Sequence, residues 1–210
     1  MAEPIRGLDP EIVRRNLARV RERCGPEVEI LAATKYVEPD EMPVLAEAGV
    51  QLVGENRLQD LEAKRERFGE TFTWDFIGNL QSRKVKRILP LVRLIHSVAS
   101  ESALDQLGGH AGAETEILVE VDLAAEETKS GIAPERLGEF IARSPVRVAG
   151  LMTMPPASDD AERSRPYFAR LAELGAEHGL ERLSMGTSQD WEVAVEEGAT
   201  IVRLGTSLYR

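Results

Sequence analysis

The chain has 210 residues, 42% of them apolar and 30% charged, a balance suited to one globular domain with a sizeable core. Its formal net charge of −10 argues against a general binder of nucleic acid or membrane surface, and no apolar run approaches the length of a membrane span. A lone cysteine, Cys24, excludes an internal disulfide framework, and residues 1–21 carry acids without the apolar centre of an export signal, so a cytoplasmic location is expected.

Asp9-Pro10 opens an amphipathic helix running to about Cys24, with Asp9 as N-cap, Pro10 in the first turn, and Ile12, Val13, Leu17 and Val20 as its apolar stripe. Cys24 reads as a packed thiol. The chain then settles into a rhythm of short apolar run, polar junction and helical pattern. Strands are expected near 29–35, 50–55, 73–78, 91–97, 115–122, 146–153, 182–187 and 200–205. Helical patterns lie between them, at 39–48, 56–67, 81–88, 101–108, 134–143, 159–178 and 189–197. Such alternation predicts a parallel sheet with crossover helices, and eight steps favour a closed (β/α)8 barrel of the TIM type over an open doubly wound sheet. The expectation is a single domain over residues 1–210, a barrel with an extra N-terminal helix and no C-terminal β domain. Almost nothing follows the last strand to form an eighth helix, and the N-terminal helix is expected to cover that gap. The strand 116–122 alternates so that its acids fall either inside the barrel or at its rim.

The first strand stops at a lysine. Ile30-Leu31-Ala32-Ala33-Thr34-Lys35-Tyr36 puts Lys35 either in a cleft at the C-terminal mouth, where desolvation favours nucleophilic use, or on the surface just past the strand. In barrel enzymes working groups sit at the C-terminal strand ends, with phosphate often bound after strands seven and eight. Those places read Leu183-Ser-Met-Gly-Thr-Ser188 and Val202-Arg-Leu-Gly-Thr-Ser207. Glycine followed by hydroxyl residues suits an anion, and is also ordinary turn chemistry. Ring closure brings Arg203 toward Lys35, and the period of two puts Arg203 and Gly205 on one face, as it does Leu31, Ala33 and Lys35. A lysine, an arginine and a phosphate cradle suit pyridoxal 5′-phosphate (PLP) held as a Schiff base, unless Arg203 merely pairs with a rim carboxylate.

The same stretches resemble the PLP homeostasis proteins, the PLP-binding family of the YggS/PROSC type related to the barrel of alanine racemase. The matching segments are Leu31–Lys35, Gly54-Glu-Asn-Arg57 with Gln59, Phe76-Ile-Gly78 with Leu80-Gln81 and Lys84, and His96-Ser-Val98. They continue through Lys129-Ser-Gly131, Gly150-Leu-Met-Thr-Met154, Leu183-Ser-Met-Gly186 with Ser188 and Asp190, Glu197-Gly-Ala199, and Val202–Thr206. The resemblance implies that Lys35 carries the internal aldimine, that Arg203 faces the pyridine nitrogen, and that Ser188, Gly205 and Thr206 hold the phosphate. Asn56 is similar to a pocket residue of the family. Departures fall at Asp75, where many members have histidine, and at Arg83, Thr187 and Ala99; they put rim contacts and partners in doubt rather than the cofactor.

An arginine at the ring nitrogen does not supply the proton of a deep electron sink, which suits carriage or racemisation better than decarboxylation. Racemisation also wants a second acid/base. Tyr36 is expected to point away from the Lys35 face, and Tyr167 and Tyr209 have no indicated route to the pocket. His96 reads as a rim or core histidine, and His110 and His178 as helix-end surface residues. Glu55 reads as orienting the pocket, and Met152 and Met154 as core. Arg83-Lys-Val-Lys-Arg87 reads as a solvated face or a dock for an anionic partner, Glu126-Glu127 as loop or helix-start acids, and no His/Cys cluster has metal-ligand spacing. The favoured reading is a PLP carrier or regulator in PLP (vitamin B6) homeostasis, without robust catalysis, exchanging PLP with amino acids or PLP-dependent apo-enzymes. It is expected as a monomer or weak homodimer with no nucleic-acid or membrane partner. The competing readings are a small PLP-dependent amino-acid racemase and a phosphate-binding barrel enzyme unrelated to PLP.

Overall fold

The computed structural model describes residues 4–124 and 130–210; Lys129 and the Glu126-Glu127 pair lie outside the described residues. Asp9 caps α1 (Pro10–Cys24): its side chain accepts the Glu11 N–H at 2.8 Å, and Pro10 takes a position where no N–H is needed. β1 (Glu29–Ala33), α2 (Met42–Glu47), β2 (Leu52–Glu55), α3 (Leu58–Phe68), β3 (Thr73–Phe76) and α4 (Val85–Ile88) follow. Then come β4 (Leu94–Val98), α5 (Glu101–His110), β5 (Glu116–Glu120), α6 (Leu137–Ala142), β6 (Arg147–Met152) and α7 (Arg165–Glu177). β7 (Arg182–Thr187), α8 (Trp191–Glu196), β8 (Ile201–Leu204) and the single turn α9 (Thr206–Tyr209) complete the order.

Each strand pairs in parallel with its sequence neighbour, and β8 closes on β1 with Leu31 opposite Arg203 and Ala32 opposite Leu204. This is the expected (β/α)8 barrel. The period of two divides each strand between two layers. Ile30, Val53, Trp74, Ile117, Met185 and Val202 face outward into one large apolar layer under the helices. Leu31, Leu94, Leu118, Ala149, Met152 and Ile201 face inward and form a smaller apolar plug. Each fully buried leucine there stabilises the fold by roughly 1.5–3 kcal/mol.

Where a full eighth helix is lacking, α1 takes over. Asn16, buried on α1, donates from Nδ2 to the carbonyls of Leu208 and Arg210 at 3.2 and 3.0 Å. The buried face of α1 thus carries a polar member whose role is to satisfy carbonyls of the last turn and of the residue after it, which lack partners within so short a helix. Cys24 is buried at the end of α1, and burial raises the proton affinity of its thiol. Among the described residues no helix is long and apolar enough to cross a membrane.

The N-terminal end of the barrel is ionic. Glu29, at the start of β1, accepts two hydrogen bonds from Arg93 at 2.7 and 2.9 Å and one from Arg182 at 2.9 Å. Glu116, at the start of β5, pairs with Arg147 at 2.6 Å and Arg182 at 3.4 Å. The first acid of the 116–122 strand is therefore interior and paired.

Candidate functional site at the C-terminal mouth

β1 ends at Ala33 because the next residue is drawn outward. Thr34 is buried and its Oγ1 donates to Glu55 Oε1 at 2.7 Å; Lys64 of α3 donates to the Thr34 carbonyl at 2.7 Å and pairs with Glu55. The chain then turns, with the Val37 N–H donating back to the Thr34 carbonyl at 2.9 Å. Lys35 and Tyr36 form the apex of that turn. Lys35 is exposed, and its ammonium lies 5.2 Å from the Tyr36 ring centroid, within cation–π range. Of the two places the sequence left open for Lys35, the structure takes the surface one. The expectation that Tyr36 turns away from the Lys35 face is corrected: it rested on extending the strand period beyond Ala33, and the chain turns there instead.

Arg203 is inward and buried, as expected. Its Nη1 donates to the Ser184 carbonyl at 2.7 Å and to Ser184 Oγ at 2.6 Å, while Nη2 donates to the Thr153 carbonyl at 3.0 Å and contacts Met154 Sδ at 2.8 Å. Burial pulls its proton affinity down, opposed by the charges of Glu120 and Asp190, to a pKa of about 10. The guanidinium therefore remains charged at neutral pH. Met154 is not core: it is 46% exposed and covers Arg203 at the mouth. Glu120 lies in the same interior; burial pushes its carboxyl up, offset in part by the Ser130 hydroxyl at 3.0 Å and by Arg203.

The glycine–hydroxyl segments after β7 and β8 meet. Ser188 Oγ accepts the N–H groups of Gly205 at 3.0 Å and Ser207 at 3.2 Å, and the Ser207 hydroxyl at 3.0 Å. Gly186 makes the turn feasible: its φ is +90°, and a methyl there would lie 2.6 Å from Ala194 Cβ. Ser188 and Gly205 are brought together as expected, Ser207 joins them, and Thr206 stands exposed beside them at the start of α9. Asn56, just past β2, is partly buried. A methyl on Gly78 would run into the Asn56 carbonyl, so the loop after β3 packs directly on this residue.

His96 is a core residue and not a rim one. It is fully buried, with Nδ1 2.8 Å from Ser184 Oγ and Nε2 3.1 Å from Asp75 Oδ2. Asp75 belongs to the barrel interior rather than its rim, and also binds Arg93. Tyr209, which the chain order gave no route to the site, donates its hydroxyl to the Ala33 carbonyl at 3.1 Å. Burial and the charge of Glu55 push that hydroxyl's proton affinity well up, so it acts as a fixed donor.

These residues fit PLP by their own chemistry. Asn56 Oδ1 is buried without a hydrogen-bond partner, a cost tolerated where a ligand supplies the donor. Arg203 offers a charged donor at the mouth, and the N–H groups of Gly205 and Ser207 already converge on one oxygen, as they would on a phosphate.

The alanine racemase N-terminal domain family model matches residues 8–210. The pyridoxal phosphate homeostasis protein of Aquifex aeolicus is 38% identical, covering 95% of this chain and 96% of its own length; that of Pseudomonas aeruginosa is 34% identical over 95% and 94%. PipY of Synechococcus elongatus, solved with PLP bound, superposes with a TM-score of 0.83 at 30% identity, covering 94% of this chain and all of PipY. Alanine racemase from Corynebacterium glutamicum shares the fold, with a TM-score of 0.76 at 17% identity over 96% of this chain and 61% of that one. The chain therefore belongs to the alanine racemase N-terminal domain family and, within it, to the pyridoxal phosphate homeostasis proteins.

Proposed function

We propose that this chain is a cytoplasmic PLP-binding homeostasis protein that holds PLP as a Schiff base on Lys35 and passes it on by imine exchange. What supports the reading is an exposed amine just past β1, at the same end of the barrel as the buried Arg203 guanidinium and the N–H donors of Gly205 and Ser207. Condensation of the Lys35 amine with the aldehyde releases one water, and an incoming amine that takes over the carbonyl carbon returns Lys35 as the free amine. Asn56, Arg203, Ser188, Gly205 and Thr206 are the residues assigned to hold the ring and phosphate. What the mouth offers Lys35 is access rather than burial, which suits exchange with incoming amines.

A racemase reading has less to draw on. His96 is spent between Asp75 and Ser184, and Tyr209 is spent on the Ala33 carbonyl, so neither is free as a second acid/base. The assigned acceptors are amino acids and PLP-dependent apo-enzymes. Purified chain incubated with PLP is expected to absorb in the visible, and Lys35→Ala to lose that band while staying folded. A band that survives in Lys35→Ala refutes the lysine assignment, and turnover of L- to D-alanine by the loaded chain favours the racemase.

A further inference from the structure

The barrel axis holds a chain of hydrogen bonds that neither packing nor the phosphate corner requires. Arg93 binds both oxygens of Asp75, through Nε at 3.1 Å and Nη2 at 2.7 Å. The remaining capacity of Asp75 Oδ2 goes to His96 Nε2 at 3.1 Å, His96 Nδ1 meets Ser184 Oγ at 2.8 Å, and Ser184 Oγ meets Arg203 Nη1 at 2.6 Å. Asp75, His96 and Ser184 are each fully or almost fully buried. Such groups have no water to turn to, so each proton has one consistent position.

We propose that Asp75 is a positioning residue for Arg203, acting through His96 and Ser184. An ionised carboxylate only accepts, so His96 must carry its proton on Nε2. Its bare Nδ1 then accepts a hydrogen bond from the Ser184 hydroxyl, which leaves the lone pairs of Ser184 Oγ facing Arg203. The guanidinium is thereby fixed by the Ser184 hydroxyl and carbonyl together, in one orientation toward the mouth. Burial pushes the Asp75 carboxyl up, but bonds from His96 and Arg93 more than offset this and hold it low. Burial and the charges of Arg203 and Arg93 keep His96 neutral against the pull of Asp75. A doubly protonated ring would add a second buried cation next to that of Arg203. The presentation of Arg203 to a PLP ring rests on the function proposed above; the arrangement of protons does not.

The test reads the His96 tautomer by nitrogen NMR on the chain without PLP, with His96 identified by its absence from His96→Gln. Wild type is expected to show a neutral ring protonated at Nε2 at neutral pH. Asp75→Asn keeps an acceptor for Arg93 but turns an N–H toward His96, and is expected to move the proton to Nδ1. Ser184→Ala, which leaves the Asp75–Arg93 pair intact, is expected to keep the Nε2 tautomer and secures the test if Asp75→Asn fails to fold. With PLP added, both variants are expected to bind about tenfold more weakly and to shift the absorbance band. A wild-type ring protonated at Nδ1 or at both nitrogens, a tautomer unmoved in folded Asp75→Asn, a proton displaced in Ser184→Ala, or PLP affinity and absorbance unchanged in both variants overturns the proposal. A wild-type chain that binds no PLP at all refutes the function instead, and the tautomer result then stands on its own.

Discussion

The two ends of this barrel treat their polar groups differently. At the N-terminal end Glu29, Glu116, Arg93, Arg147 and Arg182 satisfy one another, and the acids that close the axis are paired within the chain. At the C-terminal mouth Lys35 is exposed, Asn56 Oδ1 is buried without a partner, and Met154 covers Arg203 from an exposed position. The charged groups of one end are spent on one another; the other end keeps an exposed amine and an unpartnered amide oxygen. Buried polar groups left unsatisfied cost about 1–3 kcal/mol each, so a fold retains them where something other than stability depends on them.

Substitutions at the two ends should therefore separate stability from PLP binding. The largest effect is expected from Arg93→Met, which leaves Asp75 buried without its main counter-charge. Arg93 is itself exposed, so water takes up part of the loss and the cost is about 1–3 kcal/mol, read as a lower urea midpoint. At the other end Ser188→Ala should cost under about 1 kcal/mol, since Gly205 and Ser207 can turn to water. It should weaken PLP binding about tenfold, measured by titration of the absorbance band. A large stability loss in Ser188→Ala would erase the contrast between the ends.

The smallest effect concerns pH, and the two ends differ in sign. Asp75 is held low although burial opposes it, and Glu29 likewise, through Arg93 and Arg182. Their contribution is fully present above the ordinary carboxylate pKa of about 4 and is lost as pH falls through the lowered values. Glu120 is raised by burial, so its contribution is present below about pH 4 and is lost as pH rises through the raised value. Glu120→Gln should thus raise stability on the neutral side by under about 1 kcal/mol and leave the acid limb unchanged. Urea midpoints followed from acid to neutral pH check this, and an unchanged neutral limb would count against it.

The strands were legible because each is a short apolar run between polar junctions, and closure followed from their number. Arg203 was legible as inward through its parity with Gly205. The sequence left Lys35 either in a cleft or on the surface, and could not decide, because the Thr34 carbonyl at the turn is held by Lys64, thirty residues further on, through a 2.7 Å bond. Whether His96 lay at the rim or in the core, and what Asp75 would pair with, was not legible either: a strand's sequence tells which side a residue faces and not what it meets across the axis. Tyr209 and Asn16 carry no local signal, since their partners, Ala33 and the carbonyls of α9, lie at the other end of the chain.

The central claim is that Lys35 is the amine that takes PLP. Borohydride reduction of the PLP-loaded chain followed by peptide mapping tests it most directly: the account predicts one pyridoxyl label, on Lys35. A label on Lys64 or any other lysine, or reduction that leaves the chain unlabelled, would contradict it.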